Sequence, residues 1–557
     1  MRNVHYTLHP PAIRKRKPRG TGDPVLRNEP NSVSPNYETN PIPGSPGSPS
    51  LPNEANFARR PRQGQQPRAT LYLMKDIALR ALDAALARGV SYADVRVEQT
   101  RERALGTKNG QTGRLGSSES TGAGLRVLAD GAWGFAATGD LSAAGLSTAA
   151  AQAVSIARAS ALAARAEVRL ADEEKHECVW ESPCAIDPFS VPLAEQLALL
   201  LAVDSELRRT PGVTLAETNM NFQRTRQVFV SSLGSVIEQT RTATQAGFEA
   251  WAFKGSEIQK RSYPNSFGGQ SQLKGYELVG ELALLDHAPR IAEEAVALHS
   301  ADQCPEGTLP LILDSSQLAL QIHESIGHPI ELDRVLGSEA NYAGMSFLTV
   351  DKLNTLRYGS EIVNAVADAR PEHGPGLGTF LFDDEGVPAQ RIDVIRDGLF
   401  TGYLASRETA PVVGLSRSNG AMRAANWARL PLIRMTNVSL LPGPHTLDDV
   451  FDVDRGICME TNRSWSIDDK RYNFQFGCEI AWEIRNGKRV RMLRNPTYSG
   501  ITTEFWNSCE RIANRSHWTL WGVPNCGKGQ PEQVMGTGHG ASPARFRDVR
   551  VGGGYGK

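Results

Sequence analysis

The sequence predicts an α+β protein, with an N-terminal α/β domain over about 74–300 followed by a β-rich C-terminal domain over about 305–557 that carries a histidine-bearing helix. Three observations predict it. Apolar residues in the first part recur at helical spacing in some stretches and alternate in others. Turn signals in the second part fall between alternating runs, which marks hairpins. Residues 1–70 show neither pattern.

That leader holds 13 of the chain's 33 prolines, with clusters such as "RKRKPR" and "IPGSPGSPS". It cannot bury enough apolar surface to offset its ordering entropy, so a disordered Pro/Arg-rich extension is expected over 1–70, with Met74 a candidate biological start.

Order begins with "MKDIALRALDAALARGVSYADVRVEQ". Ile77, Leu79, Leu82 and Leu86 follow helical spacing, Gly89 stands where a C-cap glycine belongs, and a strand through Val95 and Val97 follows. "GAGLRVLADGAWGFAA" predicts a hairpin about Asp130-Gly131. Helices are expected over about 142–166, 191–208 and 277–299, with a strand-rich portion over about 213–272 turning at Gly234. "GTLPLILDSSQLALQIHESIGH" predicts a strand, a cap at Asp314 or Ser315, and a helix. Hairpins follow at Asp397-Gly398 and Asn486-Gly487.

Lysine plus arginine equals aspartate plus glutamate, 61 each, which gives no argument for nucleic acid or an anionic membrane as partner. The seven cysteines are few and odd in number, against a disulfide scaffold, and are expected to be reduced. No apolar run approaches about eighteen residues and no signal-peptide core is present, so a soluble cytoplasmic protein is expected.

The chemistry concentrates in "HESIGH", 323–328. On a regular helix residues five apart differ by about 140° around the axis, so His323 and His328 would face different surroundings. Gly327 can take torsions closed to other residues and Pro329 disfavours the α region at His328. The helix is therefore expected to end there, with His328 on a wound-out or bulged terminus from which it can swing back towards His323. Glu324, beside one imidazole, is the candidate general base of a zinc site. A catalytic zinc usually has three protein ligands, and the candidates for the third are Glu331, Asp333, His373, Cys478, Cys526 and His539. Cys526 is preferred, because Lys528 two residues on favours its thiolate. Cys478 alternates with Ile480, Trp482 and Ile484 and is expected in the core.

Several other runs carry blander expectations. Asp383, Asp384 and Glu385 beside Gly386 lack the alternating oxygens of a calcium loop and are expected to form a turn before a strand. Cys178 and Cys184 flank a loop with no matching second pair, and the glycine-rich tail "RVGGGYGK" is assigned no function.

"HESIGH", "DDEGVPAQRIDVIRDGLFTGYL" (383–404), "RLPLIRMTN" (429–437) and "PNCGKGQP" (524–531), with the segment "SWSIDDKRYNFQFGCEIAWEI" (464–484), together resemble the TldD/PmbA family of metallopeptidases, on the TldD side. The likeness runs from about Met74 to the C-terminus. It implies zinc (Zn2+) bound by His323, His328 and Cys526, with Glu324 as catalytic base. It further implies hydrolysis of unfolded or extended peptides held as an added strand, and a PmbA/TldE-like partner subunit or a homo-oligomer. His539, Arg429 and Arg434 are candidate oxyanion or substrate contacts. Two rivals remain: a non-catalytic peptide-binding subunit, and a thiol hydrolase with Cys526 as nucleophile and His328 or His539 as base.

Overall fold

The computed structural model describes residues 66–553, so the expectation for the leader lies, up to residue 65, outside the described residues. The first helix, Gln66–Leu86, starts earlier than Met74, and the expected boundary at residue 70 moves accordingly. The fold is α+β. Among the described residues no helix is long and apolar enough to cross a membrane.

An eight-stranded sheet organises the N-terminal part. Its order is Ala132–Thr138, Gln111–Ala129, Tyr92–Lys108, Leu215–Ser231, Val236–Lys254 and Glu177–Glu181, and Glu257–Tyr263 and Gln270–Gln272 also pair with the fifth of these. The Asp130-Gly131 hairpin is formed as expected, with φ of 52° and 76° at the two residues, both in the left-handed region. Helices Gln66–Leu86 and Ala143–Ala161 bury alanines against Val95, Val97 and Leu125. Small residues let that contact close: a Cβ on Gly134 would lie 2.0 Å from the carbonyl oxygen of Ala153. A second core joins Leu200 and Ile291 to Phe222 and Phe248. The helix expected over 277–299 is two pieces, Glu277–Glu281 and Leu284–Ala297, broken at Ala283 with φ 45°. Apolar spacing carries through that break, so periodicity alone does not register it.

The C-terminal part is β-rich. Arg455–Ile467 pairs with Gly307–Leu313, then Ala544–Gly553, Pro496–Ile501 and Asn473–Arg485 follow, and the last of these pairs back onto the first, closing a ring of five strands. The helix Ser315–Ile322 leaves this ring directly after Gly307–Leu313, and its buried Gln317 and Gln321 both hydrogen-bond the Tyr498 hydroxyl at 2.9 Å. A separate two-stranded ribbon, Thr519–Lys528 with Gln533–Ala541, carries Cys526 and His539.

The acidic run 383–385 forms the expected turn, with Gly386 at φ 76°, but it is buried against the N-terminal sheet. Arg126 bonds Asp94 at 2.6 Å and Glu385 at 2.9 Å, and Arg96 lies 3.7 Å from Asp384. Charges withdrawn from water need partners, and the strand residues of the other half supply them.

Candidate metal centre

The Asp314 carboxylate caps the helix by accepting from the backbone N–H of Ser316 at 3.1 Å and Gln317 at 3.0 Å. Regular α geometry lasts to Ile322. Residues His323–Gly327 then form a π turn, closed by the His328 N–H donating to the His323 carbonyl, before a 3-10 turn over His328–Ile330. The wider turn brings residue i+5 round towards residue i. Of the two expected forms the bulge is the one found, not a wound-out end: Gly327 (φ −63°, ψ −57°) and His328 (φ −65°, ψ −40°) both stay in the right-handed helical region. Glycine is needed at 327 for space, since a Cβ there would meet the Met435 sulfur at 2.0 Å. Ser325 anchors the bulge: its hydroxyl bonds the Gln321 carbonyl and accepts from the Trp506 indole at 2.9 Å, while Tyr358 bonds its carbonyl.

His323, His328 and Cys526 are 3, 4 and 3 % exposed, and one donor atom from each falls within 4.8 Å of the others. It is the one such group of metal-binding side chains among the described residues. The imidazole planes stand 87° apart with centroids 4.9 Å apart, and the Cys526 sulfur is 3.7 Å from His328 Nε2.

The hydrogen bonds assign the tautomers. His539 Nδ1 lies 2.9 Å from the Val438 carbonyl, which can only accept, so this nitrogen carries the proton. His539 Nε2 is then an acceptor, and it takes the proton of His323 Nδ1 at 2.8 Å. On His328, Nδ1 donates to Glu331 at 3.0 Å. Both metal-facing Nε2 atoms are thereby left with free lone pairs. Burial keeps the rings neutral: it brings His323 down to about 4, and it lowers His328 against the opposing pull of Cys526. Burial alone would raise the Cys526 thiol, but the Arg434 charge and the contact with His328 bring it below its ordinary value. Cys304, Cys458, Cys478 and Cys509, by contrast, are all pushed up by burial.

The remaining expectations sort as follows. Glu331 binds His328, Asp333 accepts from Lys528 at 2.7 Å, His373 is exposed in a short turn, and Cys478 is core, so none joins the cluster. Lys528 pairs with Asp333 and Glu331 (2.7 and 3.5 Å), and the cation acting on Cys526 is Arg434, whose guanidinium bonds the Cys526 carbonyl at 2.6 Å. His539 offers no free donor to a reacting oxygen in the way expected, whereas Arg434 Nε has no acceptor among the described residues. Arg434 spends its terminal nitrogens on the Gln533 and Cys526 carbonyls, and both ring nitrogens of His539 are engaged. Arg429 lies in a loop, held through its backbone by Arg96 and Asn426, and no side-chain bond links it to the cluster.

Glu324, 5 % exposed, receives a hydrogen bond from Arg471, in the turn between Arg455–Ile467 and Asn473–Arg485. Sequence reasoning missed Arg471. Its only signal is a positively charged residue at the tip of a hairpin within "SWSIDDKRYNFQF", and such tips are charged for solubility alone.

Three family models match the chain: PmbA/TldA metallopeptidase domain 1 over 93–157, the central domain over 186–300, and the C-terminal domain over 306–553. A metalloprotease from Methanothermobacter thermautotrophicus is 28 % identical over 465 residues, covering 83 % of this chain and 96 % of that protein. A zinc metalloprotease TldD homolog from Saccharolobus solfataricus is 26 % identical over 251 residues, 44 % of this chain and 52 % of that one. The crystal structure of TldE from Thermococcus kodakarensis superposes with a TM-score of 0.65 at 15 % identity, covering 87 % of this chain and all (100 %) of that one.

Proposed function

The chain belongs to the PmbA/TldD family of metallopeptidases, and from that premise we propose that it is a zinc-dependent peptidase that hydrolyses unfolded or extended peptides. The observation that carries this reading is the convergence of His323, His328 and Cys526 donor atoms within 4.8 Å, beside a buried carboxylate. Two neutral imidazoles and a thiol of lowered pKa are the donor chemistry zinc prefers.

When bound, zinc supplies Lewis acidity, polarising the scissile carbonyl and making water a nucleophile near neutral pH. Glu324 takes the proton of the attacking water and returns it to the leaving amide nitrogen as the C–N bond breaks. Arg471 orients the Glu324 carboxylate. Glu331 and His539 hold the ligand rings in the tautomers that present Nε2. An extended peptide satisfies its amides by pairing with a strand edge, a mode that suits this sheet-rich chain. The working complex is proposed to include a TldE-like partner subunit or a second copy, in a cytoplasmic setting where the cysteine stays reduced.

The deciding measurement is metal content and peptide hydrolysis for the wild-type chain, Cys526→Ala and Glu324→Gln. Cys526→Ala is expected to lose zinc and activity together, and Glu324→Gln to keep zinc and lose activity. Full zinc content in Cys526→Ala overturns the ligand set. One observation favours a second reading, a thiol hydrolase: the 3.7 Å approach of Cys526 to His328 resembles a nucleophile and its base. Chelation separates the two, because a thiol hydrolase survives loss of metal. A purely binding subunit would not need the complete set of His323, Glu324, His328 and Cys526.

A further inference from the structure

A cleft of about 330 Å³ opens between the N-terminal sheet and the ribbon that bears Cys526. Met535, which lines it, is the cross-strand partner of Cys526, so the cleft and the donor cluster share the ribbon as a common wall. Its lining carries four arginines and two glutamates.

Two of these arginines are unusual. The Arg423 guanidinium is buried and bonded only to the backbone carbonyls of Met435, Leu377 and Gly536, and its Nε has no acceptor among the described residues. Half-buried Arg241 has a single bond, to the neutral Gln227 side chain at 3.3 Å. Among the described residues neither forms an ion pair, and the nearby carboxylate of Asp384 is taken up by Arg96 at 3.7 Å and by Gln227 and Ala424. Burial and the charges of Arg241 and Arg434 bring Arg423 down to about 9, against the opposing pull of Asp384 and Cys526. Glu98, also on the wall, feels Arg96 and Arg241, but burial pushes its carboxyl up to about 7, so it carries only part of its charge at neutral pH. Buried Arg126 and Arg261 pair with carboxylates, whereas Arg434 and Arg407, like Arg423, meet backbone carbonyls.

We propose that Arg241 and Arg423 form a carboxylate-binding subsite that selects peptides bearing an acidic group near the bond to be cleaved. The proposal rests on the peptidase reading and names its substrate class. Guanidinium groups match a carboxylate in charge and in fork geometry, and a low-dielectric wall strengthens the pairing. The shared ribbon puts the acidic group near the scissile bond of an extended peptide. The carboxylate can be an Asp or Glu side chain or the peptide's C-terminus.

The test reads binding separately from hydrolysis. Fluorescent extended peptides carrying Glu, Gln or Lys at each position in turn, with free or amidated C-termini, are titrated by anisotropy against the full-length Glu324→Gln protein. At one position Glu is expected to bind about tenfold more tightly than Gln, or the free terminus about tenfold more tightly than the amide. These two arms distinguish a side chain from a chain end. Adding Arg241→Glu, a half-buried position chosen to spare the fold, should pass the preference to Lys, and Arg423→Gln should abolish it. Equal affinities at every position and for both termini overturn the subsite, as does a preference for Glu that survives Arg241→Glu. Failure of the wild-type chain to hydrolyse the tightest peptide sinks the peptidase reading and leaves the binding result standing.

Discussion

The turn 323–328 and the turn 383–385 are both short polar runs buried in the C-terminal half, and they solve the same dielectric problem in opposite ways. The second receives cations from the N-terminal sheet, Arg126 for Glu385 and Arg96 for Asp384, and burial pushes the Asp383 carboxyl well above the usual carboxylate range. The first has two imidazoles brought below their ordinary titration range by burial, and among the described residues no carboxylate joins their donor cluster. One arrangement is electrostatically closed, the other keeps lone pairs for an ion from outside. Burial of polar residues therefore does not mark a functional site by itself. The informative question is whether the charge balance is complete.

The largest expected effect sharpens the open side of this contrast. Glu324→Gln should lower kcat/KM for peptide hydrolysis by about 10³- to 10⁴-fold while zinc content stays at the wild-type level, measured by metal analysis beside steady-state kinetics. Next comes the closed side. Arg126→Met leaves Asp94 and Glu385 buried without their cation and should cost about 4 kcal/mol in urea unfolding, most of it recovered when Asp94→Asn and Glu385→Gln are added. An unchanged unfolding midpoint in Arg126→Met would break the comparison.

A third prediction concerns Glu98, whose carboxyl is pushed up to about 7 chiefly by burial, against the pull of Arg96 and Arg241. Its value in the unfolded chain is about 4.3, so between the two values the folded chain holds the extra proton. This contribution to stability is complete below the unfolded value and lost as pH rises through about 7, about 3 kcal/mol in all. Unfolding at pH 5 and pH 8 measures it, and Glu98→Gln should flatten that difference. The smallest effect is expected of His539→Phe, which removes the acceptor behind His323 and should weaken zinc binding about 10- to 100-fold against a chelating dye.

Much of this was legible in the residues. Gly-containing turns at Asp130, Asp397 and Asn486 mark their hairpins because only a few residue types take positive φ cheaply. Asp314 was visible as a cap because a short carboxylate side chain can accept from the first backbone N–H groups of a helix. In "HESIGH" the mismatch of a five-residue spacing with a helical turn correctly demanded a distortion, wound-out or bulged. Local torsional preference could not choose between the two, and tertiary bonds from Tyr358 and Trp506 to Ser325 hold the bulge. Arg471, the pairing of Arg126 with Glu385, and the relay from Val438 through His539 were illegible for a common reason. Each joins segments distant along the chain, and neither periodicity nor spacing carries information about such meetings.

The closed ring of five strands has a consequence for how the centre is assembled. Gly307–Leu313, which leads into the helix bearing both imidazoles, and the hairpin that presents Arg471 are mounted on that one frame. Cys526 is mounted on a different body, the ribbon, 198 residues from His328 in the chain. An ion gripped by all three acts as a rivet between frame and ribbon, so a loosening of the ribbon tears the coordination sphere apart, and holding the ion and docking the ribbon become a single thermodynamic event.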